Sequence, residues 1–234
     1  MTVSPMLRYF ISLFILSTQL IGAQDSIPKI ERYGLRVGVD MSKPIRAMVE
    51  DGYKGLELTA DYRISRNLYV AGEIGTEEKR VTSEVLDFKT SGSYLKVGVD
   101  INTYKNWIGM ENQILVGFRL GLSAHQQELL GYTISQKNQY WEEPLDVMLA
   151  STQTFDGLSG QWIEFLLGVK AELMRNFYMG LSVRMHHLLN DTRPSNFDNL
   201  YIPGFNRVSD FGPWGVGLNY TVMYQLPLYK KQVK

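Results

Sequence analysis

Cysteine is absent from this 234-residue chain, which excludes a disulfide scaffold, a thiolate metal site and a lipid-anchored cysteine at a processed N-terminus. Net charge is absent as well. With 24 basic and 24 acidic residues, the balance gives no reason to expect nucleic acid or another polyanion as a partner. Histidine is scarce, three residues in all, and no stretch after the first 23 residues reads as a membrane-spanning helix, which needs roughly 20 apolar residues. The glycine motifs lead to no cofactor either. "GVGLNY" at Gly215 lacks the third glycine and following helix of a dinucleotide loop, and "DGLSG" at Asp156 lacks the spacing of a nucleophile elbow.

What is present starts with a leader. "MTVSPMLRYFISLFILSTQLIGAQDS" carries Arg8, an apolar run from Tyr9 to Ile21 and small residues at Gly22 and Ala23, the order of a secretory signal peptide cleaved after Ala23. Residues 1–23 are then the signal peptide and 24–234 a single exported domain.

The rest of the chain beats with period two. Leu56, Leu58, Ala60, Tyr62 and Ile64 alternate with Glu57, Thr59, Asp61 and Arg63, and the pattern recurs at Ile114 to Ser123, Ile163 to Leu173 and Trp214 to Gln225. Alternation puts the two sets on opposite faces of a strand. Eight strands are expected, at 33–42, 55–65, 68–76, 92–102, 113–124, 161–173, 177–187 and 213–226, most about ten residues long, as a tilted strand crossing a bilayer requires. Two corners are nearly the same word: "RNLYVA" at Arg66 and "RNFYMG" at Arg175. Asn tolerates the positive φ of tight hairpins, so both are expected to be short turns. Residues 125–160 and 188–212 are instead expected to form long polar loops. Short turns at one end and long loops at the other are the asymmetry of an outer-membrane barrel. Pro227 is expected to end the last strand.

The face opposite the apolar set is charged. By parity it holds Arg36, Arg63, Lys96, Arg119, Lys170 and Arg184 together with Asp40, Glu57, Asp61, Glu73, Asp100, Glu164 and Glu172. On a soluble sandwich these groups would be solvated. Inside an eight-stranded barrel, whose interior is just wide enough to be filled by side chains, they would pair with one another, and a wide aqueous pore is excluded. The expected pairing sets Lys96, Arg119, Lys170 and Arg184 against Asp100, Glu164 and Glu172.

The leader ending "LIGAQ", the repeated "VGVD" of Val37 and Val97, and the closing "GVGLNYTVMYQLPLYKK" resemble small outer-membrane β-barrel proteins of the Bacteroidota, particularly an uncharacterised family of that phylum. The resemblance implies an all-β, antiparallel, up-and-down transmembrane barrel with outer-membrane lipid and the barrel-insertion machinery as its partners and no cofactor. In one respect the chain departs from many such barrels: Tyr229 is followed by Lys230 to Lys234 rather than ending the chain.

Catalysis has weak support. Ser182 lies four residues before His186, and Ser123 two before His125. Strand residues four apart are roughly 13 Å apart, too far for a hydrogen bond. His186 and His187 point to opposite faces and cannot share a metal. The leading expectation is a barrel with a structural or surface-interaction role. A narrow channel or a periplasmic carrier with a soluble barrel are the alternatives.

Overall fold

The computed structural model describes residues 29–83, 86–104, 111–134, 145–193, 199–207 and 212–233. The expected leader lies outside them. Of two compact units, the larger, Arg32–Tyr229, contains every contact described below. The smaller comprises Met1–Glu31 and Lys230–Lys234, whose described residues are the first of one strand and the last of another.

Eight strands close into one antiparallel ring. They are β1 (Lys29–Asp40), β2 (Tyr53–Arg63), β3 (Leu68–Thr82), β4 (Leu86–Asn102), β5 (Gln113–Ile134), β6 (Leu145–Met174), β7 (Phe177–Asp191) and β10 (Trp214–Val233). Each pairs with its sequence neighbour, and β10 completes the ring between β7 and β1. Closure leaves no free sheet edge where β1 and β10 pair, which matters where no water can satisfy backbone groups. At that seam Met41 N–H donates to the Tyr220 carbonyl at 2.7 Å. The strands approach so closely there that a Cβ on Gly38 would collide with the Val222 carbonyl.

The apolar parity set faces outward. Ile74, Leu95, Val97, Ile114, Phe118, Leu120, Leu167, Val183 and Leu218 are all exposed, a girdle of large aliphatic and aromatic side chains with no protein cover. From Ile114 to Leu122 it runs about 27 Å along the strand, or about 21 Å along the axis at a tilt of about 40°, close to the roughly 25 Å belt of membrane barrels. Beyond it the outward positions of β3 and β4 turn polar, with Glu78, Arg80, Asp87 and Lys89 carrying ion pairs.

Two loop expectations are corrected, and one element was not expected at all. Residues 125–160 are largely strand, because β5 runs on to Ile134 and β6 starts at Leu145. Past the apolar girdle a strand no longer divides an apolar from a charged face, so the apolar beat fades while backbone pairing continues, with bulges at His125/Gln127 and Leu129/Gly131. Residues 188–212 contain the end of β7 and a small hairpin, β8 (Tyr201–Ile202) with β9 (Asn206–Arg207). Between β1 and β2 lies a helix, α1 (Ser42–Val49), with Pro44 in its first turn, where a missing N–H costs nothing.

The two corners also differ from each other. Asn176 has φ 66° and makes the tight β6–β7 turn. Asn67 does not adopt positive φ; its turn is longer, with Ile64 and Ser65 N–H both donating to the Leu68 carbonyl at 3.0 and 3.2 Å. Pro227 does not end β10. Its ring nitrogen points to the β7 side, past the last paired residues Tyr224 and Phe177, so no ladder bond is lost.

Candidate functional site

The lumen is filled in tiers of paired charges, and the structure brings most of the sequence-derived set together there. Near the turn end, Arg36 and Lys170 share Asp61 at 2.6 and 2.7 Å. Midway, Arg119 meets Asp100 at 2.7 Å, and Lys96 reaches Glu57 at 3.1 Å and Glu164 at 3.4 Å. Arg184 bonds Glu164 at 3.1 Å and grips Glu73 with two bonds of 2.5 and 2.9 Å. Glu73 also lies 3.4 Å from Arg119 and 3.5 Å from Lys96. One carboxylate thus serves three cations.

Three residues behave otherwise than expected. Glu172 pairs with Arg32 at 2.6 Å instead of with the mid-lumen cations. Arg32, an inward residue just before the expected start of β1, also holds Glu111 at 3.1 Å. Arg63 packs over the Tyr33 ring at 4.6 Å and donates to the Arg66 carbonyl at 2.7 Å. Asp40 turns to the seam, accepting from Ser42 N–H at 2.9 Å, Tyr220 N–H at 3.2 Å and the Asn219 amide.

Little space is left around Glu73 and its partners. A cavity of about 20 Å³ persists among residues including Glu73, Asp100, Arg119, Lys170 and Arg184, enough for about one water. Trp162, which shares the inward parity of Glu164 on β6, is fully buried in the lumen and donates Nε1–H to Glu164 at 2.7 Å. Its indole occupies the place a Cβ on Gly121 would take. Gly121→Val should therefore overpack the lumen by about 1–3 kcal/mol, seen as a lower unfolding midpoint with a shifted tryptophan emission maximum.

The outer mouth is shut by α1 and the β8–β9 hairpin. Ile202 and Phe205 pack with Tyr94 and Trp162, while Tyr201 packs with Tyr53 and Phe88. Glu77 fastens the closure: it accepts from Tyr53 Oη at 3.0 Å, Tyr201 Oη at 2.7 Å and Gly204 N–H at 3.0 Å, and pairs with Lys43 of α1 at 2.6 Å. Sequence parity could have reached this residue, four positions after Glu73 on the same face, had the strand not been expected to stop at residue 76. At the C-terminal end of α1, Arg46 and Lys79 clamp Glu50 and hold its carboxyl at about 2, below the usual carboxylate range.

The histidines find no hydroxyl among their hydrogen-bonding partners here. His125 Nε2 is 3.5 Å from Asn199 Oδ1, His186 Nδ1 is 3.3 Å from the Phe205 carbonyl, and His187 packs on Trp214 at 4.3 Å. Among the described residues no group of three His, Cys, Asp or Glu is arranged to hold a metal.

A family model described as a domain of unknown function, DUF6048, matches residues 3–231. The chain belongs to that family. No curated protein matches it. Among solved structures, this DUF6048 chain is similar to Ail, the attachment invasion locus protein of Yersinia pestis, at 13% identity and a TM-score of 0.39, over 84% of this chain and 95% of that one. It is also similar to CarO2 of Acinetobacter baumannii, at 11% identity and a TM-score of 0.45, over 85% and 100% of the two chains. The DUF6048 fold itself is read from this chain's own closed ring of strands.

Proposed function

We propose that this protein is an integral outer-membrane barrel that acts as a structured surface: a lipid-anchored wall, a rigid filled lumen, and an outer rim left to meet partners. One observation carries the reading, the continuous girdle of exposed large apolar side chains around a barrel whose buried interior is charged. A water-soluble protein rarely leaves such a band uncovered. The packed lumen and latched mouth favour this role over a channel, and the histidine environments favour it over a hydrolase. Residues 1–23 would be removed on export, leaving Gln24 as the new N-terminus. Insertion would rely on the general barrel machinery reading Tyr224 to Tyr229. The leader and strand motifs resemble those of Bacteroidota outer-membrane barrels, and that resemblance supports a source in that phylum.

A cysteine-free chain makes the test clean. Asp51→Cys, beside α1, and Arg66→Cys, in the β2–β3 turn, are both exposed positions. In intact cells a membrane-impermeant maleimide should label the first and reach the second after permeabilisation of the outer membrane. The protein should require detergent for extraction and migrate differently when unheated. Recovery in a detergent-free soluble fraction would overturn the membrane reading, and reversed labelling the orientation.

A further inference from the structure

The wall has a notch beside the outer mouth. β1 stops at Asp40, and Met41 N–H is bonded to the Tyr220 carbonyl. β10 continues outward from there to Trp214, but the chain after Met41 has already entered α1. The side chains on this stretch reflect the missing neighbour: Val216 and Leu218 are 72% and 66% exposed, against 54% for Leu120 and 57% for Ile74 within the paired wall. By the alternation of the strand, the backbone groups of residues 216 and 218 point the same way as those of Tyr220, towards α1.

Behind the notch lies a cavity of about 290 Å³. Its wall includes Lys43, Arg46, Lys96 and His186 and no acidic residue, with Val216 and Leu218 at its rim. The carboxylate partners of these cations, among them Glu77, Glu50 and Glu57, are not part of the wall. His186 adds a second, independent sign of a ligand. It is 3% exposed, and its Nε2 has no hydrogen-bond partner, with Glu164 Oε1 3.9 Å away. Nδ1 faces the Phe205 carbonyl at 3.3 Å, which an N–H satisfies. Nε2 then meets a ligand as the acceptor of a hydroxyl hydrogen or, on a protonated ring, as a donor to an anion.

We propose that this cavity binds the phosphomonoester headgroup of a membrane amphiphile, entering sideways through the notch between β10 and α1. A phosphomonoester offers P–OH to Nε2 and charged oxygens to the cationic wall, while its acyl chain remains against Val216, Leu218 and the exposed Ile45 and Met48 of α1. An amphiphile is favoured over a free anion because the rim is apolar and faces the same side as the lipid girdle. The inference rests on the membrane reading above.

The test uses the barrel purified from membranes in neutral maltoside micelles, with dodecyl phosphate as probe and native mass spectrometry as readout. One dodecyl phosphate per barrel is expected, undisplaced by inorganic phosphate at equal concentration. Arg46→Gln should weaken binding about tenfold, the loss of one charge-assisted hydrogen bond. Gly217→Leu should abolish it, since a Cβ there already stands 3.2 Å from the His186 ring and the added side chain would fill the cavity. Unheated gel migration reports whether each variant is folded; where Gly217→Leu is not, Arg46→Gln decides. No retention of the probe, equal retention by the folded variants, or displacement by inorganic phosphate would overturn the proposal. Failure of the membrane reading would show separately, as solubility without detergent.

Discussion

Glu73→Gln is expected to lower the unfolding free energy of the refolded barrel by about 3–5 kcal/mol, the usual cost of breaking a buried ion pair from one side. The substitution keeps the volume and removes the charge. Glu73 is 2% exposed, and Arg184, Arg119 and Lys96 all lie within 3.5 Å of it. Without its carboxylate these three cations share Glu57, Asp100 and Glu164, and the cavity beside Glu73, Asp100, Arg119 and Arg184 has room for about one water to solvate the remainder. Lys54→Ala provides the contrast. Lys54 is exposed and 3.4 Å from Glu78, so its removal should change stability by less than about 1 kcal/mol. Urea unfolding in detergent, followed by the emission of buried Trp162, compares the two. Equal and negligible shifts would show that the lumen charges are solvated rather than packed.

The second large effect is local. Glu77→Ala removes the acceptor of two tyrosine hydroxyls and the Gly204 N–H, and strands the Lys43 ammonium. The wall of the barrel does not depend on these contacts, but the seating of α1 and the β8–β9 hairpin does. Amide exchange in residues 200–207 should quicken by about a hundredfold, equivalent to about 3 kcal/mol of local opening, while the paired core of β5, residues 114–122, keeps its protection. Glu77→Gln, which retains an acceptor oxygen, should fall between. Unchanged protection of the hairpin in Glu77→Ala would mean that apolar packing of Ile202 and Phe205 alone holds the mouth shut. Opening the mouth should not create a conduit, because the charged tiers below remain in place.

How plainly a segment's structure shows in its residues depends on the surroundings each face of it meets. Where a strand has lipid-facing residues on one side and lumen on the other, as from Ile114 to Ser123, the two environments impose a strict apolar and polar alternation, and parity placed the side chains correctly. Past Ser123 that contrast disappears. His125, Gln126, Gln127 and Glu128 carry no period, yet β5 continues through them. The helix α1 was hidden for a different reason: its eight residues are too short a run to show a helical period, and Lys43 seats it against Glu77 at 2.6 Å and over the Tyr94 ring at 5.8 Å, both far away in the chain.

By itself, the sequence determined the ring of strands, its outward apolar and inward charged faces, and the exclusion of an open lumen, since all three follow from local periodicity and from the volume available inside eight strands. Tertiary structure alone decided the partners. Parity says that Lys96 and Glu164 face inward, but strand stagger and tilt fix which inward groups share a level. For that reason Glu73 became the hub, Glu172 went to Arg32, and Glu77, Tyr201 and Lys43 came from three separate segments to close one mouth.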